Sequence, residues 1–210
     1  MEYKKRNIML RMLIITFIIT QIIMSCKKDE LNNDCKSRYY YYNSEKIILT
    51  EIPYQGSISF YDTLSVETIN QIIEQYKGIQ VLSIPSNSNH AIISIDSKNC
   101  NETDKLFATL KNDSRISNCN KFFVSEKGFT LGISDVFVCK LKSSTSPSQM
   151  TELINDNQTE IIKSNTSNYH YIIRADKNSN GDALDMANIF FESGFFEYAE
   201  PEFIANYGTY

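Results

Sequence analysis

Between residues 136 and 205 the hydrophobic period of the chain switches repeatedly between that of a strand and that of a helix. This alternation narrows the fold more than any other feature. Val136–Lys142 (VFVCKLK) is a strand-like run. Ser146-Pro147-Ser148-Gln149 follows with the signature of a capping box and proline at the first helical position. Met150, Leu153 and Ile154 give that helix its apolar stripe. Thr159–Ser164 and Tyr169–Ala175 pair across a polar turn. Asn180 is placed to cap a second helix, in which Leu184, Ala187, Phe190 and Phe191 form a stripe ended by Gly194. Phe196–Ala205 is the last strand. The order β-α-β-β-α-β is the ferredoxin-like arrangement, two helices on one face of an antiparallel sheet.

The preceding stretch has a similar rhythm. Lys46–Glu51 and Ser57–Tyr61 read as strands. Ser65 caps a helix carrying Val66, Ile69, Ile73 and Tyr76, which Gly78 stops. Ile79–Ile84 and Ala91–Ile95 are strands around the turn Ser86–Asn89, and a short helix carries Leu106, Phe107 and Leu110. Lys121–Ser125 and Phe129–Ile133 read as an added hairpin turning at Glu126-Lys127-Gly128. The expected class is α+β, with tandem ferredoxin-like units whose helices pack on one face of antiparallel sheets. Residues 38–134 form the first subdomain, 135–205 the second and 206–210 a tail. Tyr39–Tyr42 reads as an amphipathic first strand docking on the body.

The first 25 residues belong to something else. Lys4, Lys5, Arg6 and Arg11 precede Met12–Met24 (MLIITFIITQIIM), an uncharged run of about 20 Å at helical rise, short of the ~30 Å hydrocarbon core. This is the build of a secretory signal peptide. Ile23-Met24-Ser25-Cys26 resembles a bacterial lipobox, which implies that Cys26 is lipidated and that residues 26–37 form an anchored polar tether. Lys27 with acids close behind resembles the outer-membrane lipoproteins of bacteria of the Bacteroides kind. The implied location is the cell envelope. The formal net charge is −4, and without the basic leader it is −7, which argues against nucleic acid as a partner.

Beyond Cys26 stand Cys35, Cys100, Cys119 and Cys139, an even number in an oxidising compartment. Sequence alone does not choose among their pairings; Cys100 with Cys119 is the favoured bridge, and Cys139, in an apolar run, reads as a buried thiol. No Cys or His spacing suggests a metal site, and no motif suggests a cofactor. The two histidines, His90 and His170, have no nucleophile and orienting group beside them in sequence and read as structural. Asp176–Asp182 (DKNSNGD) matches the opening of an EF-hand loop. Its twelfth position is Ala187 rather than Glu, so it reads as a polar loop ending in a helix cap.

Three phrases carry a resemblance: YYYYNSEKIILT at 39–50, GISDVFVCKLK at 132–142 and GDALDMANIFFESGFFEYAEPEF at 181–203. The most specific part is Ala187-Asn188-Ile189-Phe190-Phe191-Glu192-Ser193-Gly194 followed by Ala199-Glu200-Pro201. Together they resemble the amino-terminal prodomain of secreted subtilisin-like serine peptidases of Bacteroides-type bacteria. The family's catalytic motifs, D-[ST]-G, H-G-T and G-T-S-M, do not occur in this chain. The resemblance therefore implies a prodomain without its enzyme: an inhibitor or folding helper of a subtilisin-like protease, itself not an enzyme. It implies that the sheet docks on the protease while an extended tail, Pro201–Tyr210, adds as a strand in the substrate cleft. The residues so implicated are Glu200, Pro201, Glu202, Phe203, Tyr207 and Tyr210, with Tyr210 in the specificity pocket and the two glutamates at helix amino termini of the enzyme. The alternatives are a non-catalytic remnant of a truncated protease gene and a surface lipoprotein that binds glycan or peptide.

Overall fold

The computed structural model describes residues 34–86 and 88–205. Cys26, Tyr207 and Tyr210 lie outside the described residues. The elements, in chain order, are β1 (Ser37–Tyr42), β2 (Glu45–Phe60), α1 (Val66–Ile73), β3 (Ile79–Ser83), β4 (His90–Ile95), α2 (Cys100–Leu110) and β5 (Ile116–Ser125). They continue with β6 (Thr130–Leu141), α3 (Pro147–Asp156), β7 (Glu160–Asn165), β8 (His170–Arg174), α4 (Ala183–Glu192) and β9 (Phe196–Ala205). The class is α+β, and the strands form one nine-stranded sheet.

From β2 to β5 the strand order is β5-β2-β4-β3, and from β6 to β9 it is β9-β6-β8-β7, all pairs antiparallel. Both are the order that a β-α-β-β-α-β chain adopts when each split β-α-β crossover leaves room for the third strand between the first two. The chain is thus two ferredoxin-like units in tandem. The helix starts follow the capping chemistry of the sequence. Thr68 N–H donates to Ser65 Oγ, and the Ser146/Gln149 capping box is complete. Two details differ. Asp182, not Asn180, caps α4, because its carboxylate reaches the Leu184 and Asp185 N–H groups while Asn180 Nδ2 donates to the Asp156 carbonyl. Val66 lies half exposed, and Ile72 takes the buried place on α1 beside Ile69 and Ile73.

Each unit has its own core. In the first, Ile58, Phe60, Ile93, Ile116 and Cys119 of the sheet meet Ile69, Ile72, Ile73, Phe107 and Leu110 of α1 and α2. In the second, Phe137, Cys139, Ile173 and Ala199 meet Met150, Met186 and Phe190 of α3 and α4. The runs read as two strands, Lys46–Glu51 and Ser57–Tyr61, are one strand, β2, with an irregularity in its pairing to β5 between Ile52 and Gly56. Pro53, which has no N–H to give a ladder, sits in that break.

The stretch read as an added hairpin is the junction of the units. The last strand of the first unit, β5, and the first strand of the second, β6, pair only at Phe123–Leu131 and Val124–Thr130 and then diverge. Strand β6 runs unbroken across residues 134 and 135, the expected subdomain boundary. Gly132 makes the divergence possible: a Cβ there would run into the ring of Phe122, which is fully buried over the strand. Side chains fill the gap that opens between the strands. Asn118 Nδ2 donates to the Ala175 carbonyl (3.0 Å), Asn120 Nδ2 to the Ser134 carbonyl (3.1 Å) and Ser57 Oγ to the Ile133 carbonyl (2.7 Å). Buried backbone acceptors without a ladder partner would otherwise be costly.

Strand β1 straps the units together from outside. It pairs with β2, and its side chains reach α4 of the second unit. Tyr39 and Tyr41 Oη donate to Glu192 (3.0 and 2.8 Å), Tyr41 stacks on Phe191, and Tyr40 packs edge-on against Phe203. Arg38 makes a two-pronged contact with Asp182 (2.6 and 2.7 Å) and a further one with Asp185 (2.6 Å). Burial alone would lower the Arg38 pKa; the two carboxylates outweigh it and raise it. Arg38→Met leaves Asp182 buried without its cation. It is expected to lower the unfolding free energy by about 3 kcal/mol in urea denaturation; a loss under about 1 kcal/mol, the scale of a surface ion pair, would show that the strap contributes little.

Candidate functional site

Along β8 the side chains alternate, so His170, Ile172 and Arg174 face away from the helices that cover Tyr171 and Ile173. Directly opposite Ile172 and His170 stand Val138 and Lys140 of β6, and beyond these Glu200 and Tyr198 of β9. Among the described residues nothing packs over this sheet face of the second unit. It holds a groove of about 300 Å³ lined by Val138, Lys163, Asn165, His170, Tyr171, Ile172 and Tyr198. Tyr198 Oη lies 2.9 Å from His170 Nδ1, with the two rings edge-on. Lys140 pairs with Glu197 at 2.6 Å on the rim. Burial pushes the Tyr198 phenol and the Glu200 carboxyl upward, which keeps the phenol a donor at neutral pH.

The corresponding face of the first unit is covered around Ile92. Ile92, which alternates with the core residues Ala91 and Ile93, packs with Ile52, Phe122 and Ile204, the last of these from β9. Through Ile204 the second unit covers this part of the first, while among the described residues its own face is left uncovered.

The expected protease-binding residues fall into different places. Glu200 sits opposite Val138 on the open face, half-buried. Glu202 is exposed and accepts from Ser134 Oγ (2.7 Å). Pro201 is buried against β6, and Phe203 packs on Tyr40. These two are strand residues with their surfaces already used, so neither belongs to an extended tail. The expected bridge is also corrected. Cys100 pairs with Cys35, Cα atoms 5.1 Å apart, and Cys119 is a buried thiol in the first core. Asp34 explains the choice: its carboxylate accepts from the N–H groups of Cys100 and Asn101 at the start of α2, setting Cys35 beside Cys100. Closing 65 residues removes chain entropy from the unfolded state on the order of 4 kcal/mol. Burial pushes the Cys119 thiol up to about 12 and raises that of Cys139, so neither is a thiolate nucleophile at neutral pH.

His170 lies on the groove of the second unit, whereas His90 lies in the first unit. Ser59 lies directly opposite His90 across β2 and β4, and the charges of Glu202 and Asp135 act on the imidazole, an arrangement with the residue types of a hydrolase triad. Ser59 has no exposed surface, so no substrate carbonyl reaches its hydroxyl. Asp135 is held by Ser117 Oγ (2.6 Å) and lies 3.4 Å from Arg174 Nε at the strand junction. In the EF-hand-like loop, Asp176 accepts from Tyr61 Oη and Asn178, and Asp182 is taken by Arg38 and the helix cap. Among the described residues no helix is long and apolar enough to cross a membrane.

Sequence reasoning located the strands but not the open face, because which face of a unit stays uncovered depends on how the units pack on each other. The alternation within Tyr169–Ala175 was the available signal, since it groups His170 with Ile172.

No family model matches the chain, and no curated protein is similar to it. Among solved structures it is similar to the crystal structure of the acetolactate synthase small subunit from Thermotoga maritima. The identity is 8%, with 74% of this chain and 98% of that chain covered and a TM-score of 0.25. A likeness of that degree carries no statement about activity.

Burial depresses the His90 pKa below its ordinary value of 6.5, against the opposing pull of Glu202 and Asp135. The unfolded chain then takes up a proton more readily than the folded one, so stability is full above 6.5 and falls as the pH drops through that value. His90→Gln is expected to abolish this part of the slope between pH 7 and 5 in thermal or urea denaturation. An unchanged slope would show that other groups carry the acid sensitivity.

Proposed function

We propose that this chain is a non-catalytic, lipid-anchored module of the bacterial cell envelope. It docks through the open sheet face of its second unit on a subtilisin-like serine protease, as inhibitor or folding helper. The observation that carries the reading is the contrast between the two units: one sheet face is covered around Ile92 by the second unit, and among the described residues the equivalent one is left open. That face presents Val138, Ile172 and Tyr198 as an apolar strip beside Lys140, Lys163 and Glu200. A strip of apolar and aromatic side chains with a charged rim is the composition of a protein-docking surface. The resemblance of the phrases at 39–50, 132–142 and 181–203 to subtilase prodomains supplies the partner. In this reading Glu200, half-buried on this face, meets a helix amino terminus of the enzyme. The cleft-binding role falls to residues after Ala205, among them Tyr207 and Tyr210, with the sheet contact raising their effective concentration.

The Tyr198–His170 wall also has the form of a stacking surface for a sugar ring, which favours a glycan-binding lipoprotein as the second reading.

The test is inhibition of a panel of subtilisin-like proteases, including those of the source bacterium, by residues 27–210, by residues 27–205 and by Ile172→Arg in the longer chain. The expected result is inhibition in the sub-micromolar range, weakened at least about tenfold by Ile172→Arg and by loss of the last five residues. Circular dichroism would check that the variant is folded. Absence of inhibition by the parent chain, or inhibition indifferent to Ile172→Arg, would overturn the reading. Glycan retention in its place would support the second.

A further inference from the structure

On the helix side of the molecule, away from the open sheet face, a second cavity of about 550 Å³ lies between the two units. Its walls are α2 and the loop leading into α4, and β5 forms its floor. Asp104, Phe107, Ala108 and Lys111 line it, at positions i, i+3, i+4 and i+7, a single stripe along α2 and its cap residue. Asp104 and Lys111 are therefore about 10 Å apart along the helix axis.

The charges around the cavity are segregated. Toward Asp104, three cationic residues accompany four carboxylates: Lys121 bonds Glu51 (2.9 Å) and Asp104 (2.6 Å), Arg38 bonds Asp182 and Asp185 and lies 3.8 Å from Glu51, and Lys36, exposed on the same wall, donates its backbone N–H to Glu51 (3.4 Å). Asp104 and Asp185 each remain 51% exposed, so this end offers unsatisfied carboxylate oxygens. At the other end Lys111 has no carboxylate partner among the described residues, and Lys177 Nζ donates only to the Asp113 backbone carbonyl. The neighbouring carboxylates are engaged elsewhere, Asp113 by Arg115 and Asp176 by Tyr61 and Asn178. Between the poles Phe107 and Ala108 give an apolar wall.

A ligand that satisfies both ends carries a cation and an anion about 10 Å apart. A single amino acid is too short, whereas an extended peptide of about three residues spans that distance at ~3.3 Å per residue. We propose that this cleft binds a short peptide with free termini, its ammonium against Asp104 and Asp185 and its carboxylate against Lys111 and Lys177. The site stands independently of the protease reading, since it shares no residue with the open sheet face.

Isothermal titration of residues 27–210, with the disulfide formed, would use trialanine, its N-acetyl form, its C-terminal amide and free alanine. Saturable binding of trialanine is expected, weakened at least about tenfold by blocking either end, with free alanine weaker still. Lys111→Gln should weaken trialanine and abolish the difference between acid and amide. An unchanged melting temperature would show that the variant is folded, and Lys177→Gln serves as a second variant. The proposal is overturned if trialanine does not saturate the chain up to about 10 mM, a limit near −3 kcal/mol of binding. It is equally overturned if blocked and free peptides bind alike, or if Lys111→Gln binds as the parent does.

Discussion

Strand β6 has two edges and three neighbours, and the architecture depends on how it divides them. Strand β9 takes one edge along its length, while β5 and β8 share the other, β5 at its start and β8 at its end. A single strand is thus both the exit from the first unit and the first strand of the second. Where β5 leaves and β8 arrives, the ladder cannot be continuous. Ser57, Asn118 and Asn120 donate there to carbonyls that backbone N–H groups would otherwise serve, and Ser117 Oγ donates to Asp135 of β6, tying the two strands. These polar side chains are buried because the topology requires partners at that place, a constraint that a wholly apolar seam would not meet.

The same geometry decides which surfaces are left for function. Because β9 lies beside β6, Ile204 reaches across and, with Phe122, covers the first unit's second face around Ile92. Among the described residues nothing covers the equivalent face of the second unit. The strap of β1 locks this asymmetry through Arg38 and the tyrosines at Glu192. The Cys35–Cys100 bridge fastens the chain to α2 just before the strap begins.

Much of this was legible in the sequence, and what was not has physical causes. Period and capping chemistry located α3, α4 and β7–β9, because those signals are local. The tandem order followed from them. The four tyrosines at 39–42 correctly suggested a strand docking on the body. The role of residues 121–133 was hidden, since nothing local distinguishes a separate hairpin from a shared strand that diverges after two pairs. The disulfide was missed because its geometry is set by Asp34 at a helix start, a contact across 66 residues. The resemblance alone assigns Pro201 and Phe203 to a tail, although the pattern already puts them in the last strand; Pro201 sits within β9 opposite Phe137. The cleft beside α2 was out of reach, because its two charged ends become neighbours of one cavity only when the loop before α4 packs opposite the helix.

The central claim is that one shared strand makes two ferredoxin-like units a single cooperative body. Native-state hydrogen exchange in increasing urea tests it most directly, following Ile92 and Ile93 in β4 and Ile172 and Ile173 in β8. The account requires the protected amides of both units to open with the same free energy and the same denaturant dependence. Exchange of one unit through a distinctly lower-energy opening, while the other stays protected, would contradict it.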